Sequence, residues 1–155
     1  MMRGRRGFTF IELLVVVLVL SILAGIGILK YIDLRHRALS AQVVGDVEAI
    51  RLAAYTQYYE TGAWAPDAGA GVKPPELAPY MSQSFSFIKP EYTLDWENFA
   101  PQTPGPSAGL QIGIVVAATD ARLAHSLALH MGNRSPFIVT GSTITYVLVG
   151  PDGRS

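Results

Sequence analysis

From Phe8 to Leu29 the sequence holds 22 residues with a single ionisable side chain, Glu12. A carboxylate in so apolar a stretch has two chemical uses: it relays protons or ions, or it pairs with a cation. A relay normally needs further polar groups along the span, and only Thr9 and Ser21 are present. Pairing is the simpler use, yet the stretch contains no base of its own. The remaining reactive side chains form no working set. His36, His125 and His130 fall in no ligand or triad spacing, and neither H-E-x-x-H nor G-x-S-x-G occurs. Gly69 and Gly71 lack the following lysine and helix start of a phosphate-binding loop. The absence of cysteine excludes disulfides, thiolate zinc sites, iron–sulfur clusters and thiol nucleophiles. No catalytic residue is assigned, and the chain reads as a non-enzyme.

Composition narrows the setting. The 155 residues carry 12 Lys plus Arg against 12 Asp plus Glu, and the sequence pI is ≈ 6.8. That balance gives no general pull toward nucleic acid, and no direct nucleic-acid site is evident. Hydrophobic residues make up 50% of the chain but are unevenly spread, filling 19 of the first 30 positions. The remainder has the composition of one ordinary globular domain.

A helix is the element that must carry Glu12. At ~1.5 Å rise per residue, Phe8–Leu29 is about 33 Å long, enough to cross a hydrocarbon core of roughly 30 Å. Arg3, Arg5 and Arg6 ahead of it favour a cytoplasmic N-terminus, although Lys30, Arg35 and Arg37 beyond it weaken the asymmetry. The run is too long for a cleaved secretory signal, and Ile22-Leu23-Ala24 lacks a small residue at the first key position. Arg5-Arg6-Gly7-Phe8 looks like a twin-arginine signal only as any basic segment with adjacent arginines does. A plain membrane anchor leaves Glu12 unexplained.

The stretch Arg5-Arg6-Gly7-Phe8-Thr9-Phe10-Ile11-Glu12-Leu13-Leu14-Val15-Val16 closely resembles the N-terminal processing motif of type IV prepilins and type II secretion pseudopilins. The resemblance implies that a membrane prepilin peptidase cuts after Gly7, releasing the leader Met1–Gly7, and methylates the new amino terminus at Phe8. It implies that the Phe8 amine neutralises Glu12 between neighbouring subunits in an apolar filament core, so that Phe8 and Glu12 set the assembly register. The implied partners are the peptidase, homologous pilin or pseudopilin subunits, an inner-membrane assembly platform, and the lipid bilayer before assembly. The implied location is the inner membrane, crossed once by Phe8–Leu29 with the head periplasmic, and then a pilus or pseudopilus. No cofactor is expected. Major pseudopilins commonly bind calcium in a C-terminal loop, and Asp95, Glu97 and Asn98 offer oxygen atoms. Asp95 and Glu97 equally fit the wet face of a strand, and Asp152-Gly153 is an ordinary turn after Pro151, so no metal site is assigned. Two departures stand out. Many pilins place a proline near Gly25–Leu29, where this chain has none, leaving Gly25 and Gly27 either to bend the helix or to let it pack closely. The cysteine pair of many major pilins is also missing, which leans toward a pseudopilin or a divergent pilin.

Helical spacing continues past the apolar run through Leu39, Val43, Val47, Ile50, Ala54 and Tyr58. One helix over residues 8–60, about 80 Å long, is expected, stopped by Gly62. Residues 61–84 read as a Gly-, Ala- and Pro-rich loop with a helical turn from Pro75 over Glu76–Met81. Tyr58-Tyr59, Gly62, Trp64, Pro66, Leu77 and Tyr80 loosely resemble the segment joining helix to sheet in the same families. The period then changes to two over Glu91–Phe99. Pro101–Ser107 breaks the chain, and Leu110–Ala118 forms a second, more buried strand. Thr119-Asp120 caps a short helix through Met131, closed by Gly132-Asn133, with Leu123 and Leu127 inward and His125 on its surface. Phe137–Thr140 and Thr143–Val149 flank Gly141-Ser142, a glycine-first hairpin turn. The aromatic residues Tyr55, Tyr58, Tyr59, Trp64, Phe85, Phe87, Tyr92, Trp96 and Phe99 read as core packing and inter-subunit contacts.

The expected fold is α+β and pilin-like: one very long N-terminal α-helix packed against a roughly four-stranded antiparallel sheet, with a short second helix. The expected organisation is a leader over 1–7, a membrane and filament-core half-helix over 8–30, and a head over 31–155. The expected function is that of a structural subunit of a type IV pilus-like or type II secretion filament. The alternative is a monomeric membrane-anchored or exported binding domain.

Overall fold

The structure, a computed structural model, describes residues 8–99, 112–131 and 136–149. Gly7, Pro101–Ser107, Leu110, Gly132-Asn133 and Pro151-Asp152-Gly153 lie outside the described residues, as does the side chain of His130. The chain divides into two units, Met1–Arg35 and His36–Ser155, and helix α1, Phe10–Thr61, contributes to both. In the first unit α1 has the length and mean hydropathy, 2.8, of a membrane-crossing helix, with none of that window buried. It begins at Phe10 and not at Phe8 because Thr9 is its cap. Gly25 and Gly27 stay helical, and the Ser21 hydroxyl donates to the Val17 carbonyl at 2.8 Å, so the one mid-span hydroxyl is satisfied within the helix.

In the second unit the expected stripe is buried at Val43, Val47, Ile50 and Ala54, while Leu39 and Tyr58 are only partly covered. The helix stops at Gly62, whose φ of 75° is the left-handed conformation of a C-terminal cap and whose N–H bonds Tyr58 O at 2.8 Å. The helical turn expected over Glu76–Met81 is present as a shorter 3₁₀ turn at Ala78–Tyr80. Its bonds run from Leu77 N to Pro74 O, Ala78 N to Pro75 O and Tyr80 N to Leu77 O, and Pro79 has no N–H to donate to an α-type bond. The Tyr80 hydroxyl donates to Glu60 Oε2 at 2.5 Å and ties the turn to the end of α1.

Four strands follow: β1 Tyr92–Asn98, β2 Ile112–Ala118, β3 Phe137–Thr140 and β4 Thr143–Val149. They form one antiparallel sheet in the order β1-β2-β4-β3. Gly141 has φ 63° and Ser142 does not enter positive φ, the pattern of a type II′ hairpin turn. Helix α2, Ala121–Met131, starts where Asp120 Oδ1 accepts the Arg122 N–H at 2.9 Å. Its Leu123, Ala124, Leu127 and Met131 are buried, and His125 is exposed, as expected.

The register Trp96↔Ile114↔Tyr146 aligns large side chains on the covered face of the sheet. Together with Tyr92, Leu94, Val116, Ile144 and the α1 stripe they make the core. Each such side chain contributes about 1.5–3 kcal/mol on burial. The indole of Trp96 donates to Ala65 O at 3.0 Å, so the largest core residue also anchors the loop after α1. Ser40, fully buried on α1, bonds Ser126 of α2 at 2.9 Å and lets the two helices approach at a small residue.

Candidate functional site

Chemistry concentrates at the start of α1. Thr9 N donates to Glu12 Oε2 at 2.8 Å, and the Thr9 hydroxyl donates to the same oxygen at 2.8 Å. In return Glu12 N–H bonds Thr9 Oγ1 at 3.3 Å. This is a capping box, in which the first and fourth residues satisfy each other's free backbone donors. The anionic side chain also lies at the positive end of the helix dipole. Thr-x-x-Glu ahead of an apolar run is the sequence signature of that arrangement, and it stands in Thr9-Phe10-Ile11-Glu12. The sequence reading counted Thr9 only as a polar group in the span and missed its role as the cap.

Apart from Thr9, the described residues around the carboxylate are apolar and exposed. Phe8 is 76% exposed and Phe10 82%. Phe8, Ile11, Glu12, Val15 and Val16 line an open notch of about 360 Å³ on the helix surface. Of the residues assigned to processing and assembly, Phe8 immediately precedes the cap and Glu12 belongs to it, while Gly7 lies outside the described residues. What this arrangement can do is hold one carboxylate at a fixed place on an apolar helix that none of the described residues covers.

In the head, a groove of about 870 Å³ is lined by Gly45, Ala49, Leu52, Tyr55, Tyr146 and Leu148. Its charged members, Glu48 and Arg51, pair with each other at 2.8 Å, and among the described residues no catalytic grouping lines it. Trp64 stacks on Tyr58 at 4.4 Å and meets Tyr55 edge-on at 5.3 Å. Phe87, Tyr92 and Trp96 are core residues, whereas Tyr59 is exposed. The Tyr92 hydroxyl donates to Asp46 Oδ2 at 2.6 Å, and burial first, then that carboxylate, push its pKa far upward. Among the described residues no group of three His, Cys, Asp or Glu is placed to hold a metal ion. Asp95 and Glu97 lie half-buried on the face of β1 opposite Leu94 and Trp96, and burial first, then neighbouring carboxylates including Asp67 of the loop after α1, push both upward.

Comparison with known proteins points to the same end of the chain. The family model for the prokaryotic N-terminal methylation motif matches residues 2–28. Two fimbrial proteins of Pseudomonas aeruginosa are each 39% identical to this chain over 59 residues. The matched stretch covers 38% of this chain and 38% of each relative. No solved structure matches the chain. The resemblance read from Arg5 to Val16 is therefore shown, and the α+β architecture of long helix, four-stranded antiparallel sheet and second helix is pilin-like.

Proposed function

We propose that the chain is the precursor of a structural filament subunit, a type IV pilin, cut after Gly7 by a prepilin peptidase and methylated at Phe8. The observation that carries this reading is a solitary, capped carboxylate on an uncovered apolar helix inside the methylation motif of residues 2–28. Cleavage removes Arg3, Arg5 and Arg6 and no acid, leaving nine bases against twelve acids, and it creates an amine one helical turn from Glu12. An unpaired charge in an apolar core is strongly penalised, and a neighbour's Phe8 amine removes that penalty. Subunits wait in the inner membrane on Phe8–Leu29 with their heads outside, and leave the bilayer at an assembly platform as their helices bundle. The chain is thus a substrate and a building block, not a catalyst. The fimbrial relatives favour a pilus over a secretion pseudopilus, whose subunits assemble by the same steps. Mass spectrometry of the mature N-terminus tests the reading. A product beginning with methylated Phe8 supports it; one that retains Met1, or begins near Gly25, overturns it.

A further inference from the structure

The apolar run of α1 ends at Leu29, and the next eight residues hold three bases, Lys30, Arg35 and Arg37, against one acid, Asp33. A single-pass chain with its N-terminus inside ordinarily keeps such bases on the cytoplasmic side. Three of them on the far side therefore need a reason of their own. The remainder of the chain does not share their sign, since residues 38–155 carry six bases against ten acids. The positive charge is a collar between an apolar span and an acidic head.

Lys30, Tyr31, Leu34 and Arg37 are all exposed, Tyr31 at 68%. Among the described residues neither Lys30 nor Arg37 has an ion-pair or hydrogen-bond partner. At ~1.5 Å rise per residue the two bases lie about 1.5 and 12 Å past Leu29 along the helix. The polar headgroup layer of a leaflet is roughly 5–8 Å deep, and Lys and Arg lean along their alkyl stems to reach it. Tyr31, beside Lys30, is the aromatic type that settles at the same level.

We propose that this collar binds the phosphate headgroups of anionic lipids in the extracytoplasmic leaflet, with Lys30 and Arg37 as the contacts and Tyr31 at the edge of the hydrocarbon. The inference rests on the reading that Phe8–Leu29 spans the bilayer before assembly. Arg37 presents a planar fork that takes two phosphate oxygens, and Lys30 acts as a point charge. The acidic head is repelled by the same lipids, which confines their attraction to the collar. A subunit held in this way enters a filament only by giving up its lipids, so the anionic lipid content of the membrane sets how readily it leaves.

The chain has no cysteine, so Leu34→Cys, at an exposed collar position, supplies a single thiol for one fluorophore. The labelled full chain is inserted in phosphatidylcholine vesicles containing a minor share of phosphatidylglycerol. A trace of quencher lipid is then added, either phosphatidylglycerol or phosphatidylcholine with a spin label at a shallow acyl position. Quenching by phosphatidylglycerol should exceed that by phosphatidylcholine about twofold to threefold at low salt, and the excess should shrink at high salt. Lys30→Gln together with Arg37→Gln removes both charges from exposed positions and should bring the ratio to about one. Equal quenching by the two lipids before the charges are removed, or an undiminished excess in the inserted double variant, overturns the proposal. Quenching by neither lipid overturns the membrane placement on which it rests.

Discussion

Thr9 and Glu12 close a reciprocal pair at the first turn of α1: the Thr9 hydroxyl donates to Glu12 Oε2 at 2.8 Å, and Glu12 N–H returns to Thr9 Oγ1 at 3.3 Å. The pair starts the helix and orients the carboxylate at once. Thr9→Ala should therefore do two things together. First-turn amides should exchange faster, because the Thr9 side-chain bonds are gone. Filament yield in cells should fall partly, because Glu12 remains but is less fixed. Exchange rates and sheared-filament yield check this, and an unchanged first turn would show that the cap does not hold the helix start.

Glu12 itself separates insertion from incorporation. Glu12→Leu should leave the chain as firmly in the membrane fraction as wild type, because it lengthens an already sufficient apolar run. On the proposed function it should nevertheless block entry into filaments, since the carboxylate proposed to receive a neighbour's Phe8 amine is missing. Glu12→Gln keeps the hydrogen-bond acceptor and loses the charge, and should fall between the two. Carbonate extraction and filament recovery read the two properties separately. Normal filament entry of Glu12→Leu would remove the assembly role given to that residue.

What the sequence made legible and what it hid divide along one physical line. Local chemistry was readable: period-two alternation around Tyr92, Leu94 and Trp96, the Asp120 cap of α2, and the Gly141-Ser142 turn all appear where their residue types require. Interactions between distant positions were not. Ser40 meets Ser126 across 86 residues and Asn98 reaches Ala65 across 33, pairings that no periodicity encodes. The turn at Ala78–Tyr80 became 3₁₀ through Pro79, a residue the helical reading passed over. At the start of α1 the motif pointed to Glu12, while the capping role of Thr9 was missed although its spacing was visible, because Thr9 was counted only as a polar group in the span.

The Tyr92–Asp46 bond fixes the start of β1 to the middle of α1 at 2.6 Å. Asp46 also faces Lys89 at 3.4 Å, with side-chain exposures of 16% and 21% for Asp46 and Lys89. Tyr92→Phe removes the hydroxyl and leaves the packing of the ring. Losing a hydrogen bond to a charged acceptor should cost about 1.5–3 kcal/mol, with Lys89 keeping the loss toward the lower end. Urea denaturation at neutral pH measures it, and a loss near zero would mean that water replaces the phenol without cost.

Gly69 and Gly71 share a φ of 78° but not their surroundings. A Cβ at Gly69 meets nothing within 4 Å, whereas one at Gly71 would come within 2.8 Å of Ile88 Cγ1. Gly69→Ala therefore tests backbone strain alone and should cost about 1–2 kcal/mol. Gly71→Ala adds crowding against a side chain that approaches β1 through the Ile88↔Thr93 bridge, worth a further 1–3 kcal/mol or so. The fluorescence of Trp64 and Trp96, which flank this loop, follows both variants in one denaturation experiment. A clear gap between the two identifies Gly71 as the tight point of the loop. Equal losses would mean that Ile88, itself 65% exposed, simply rotates away.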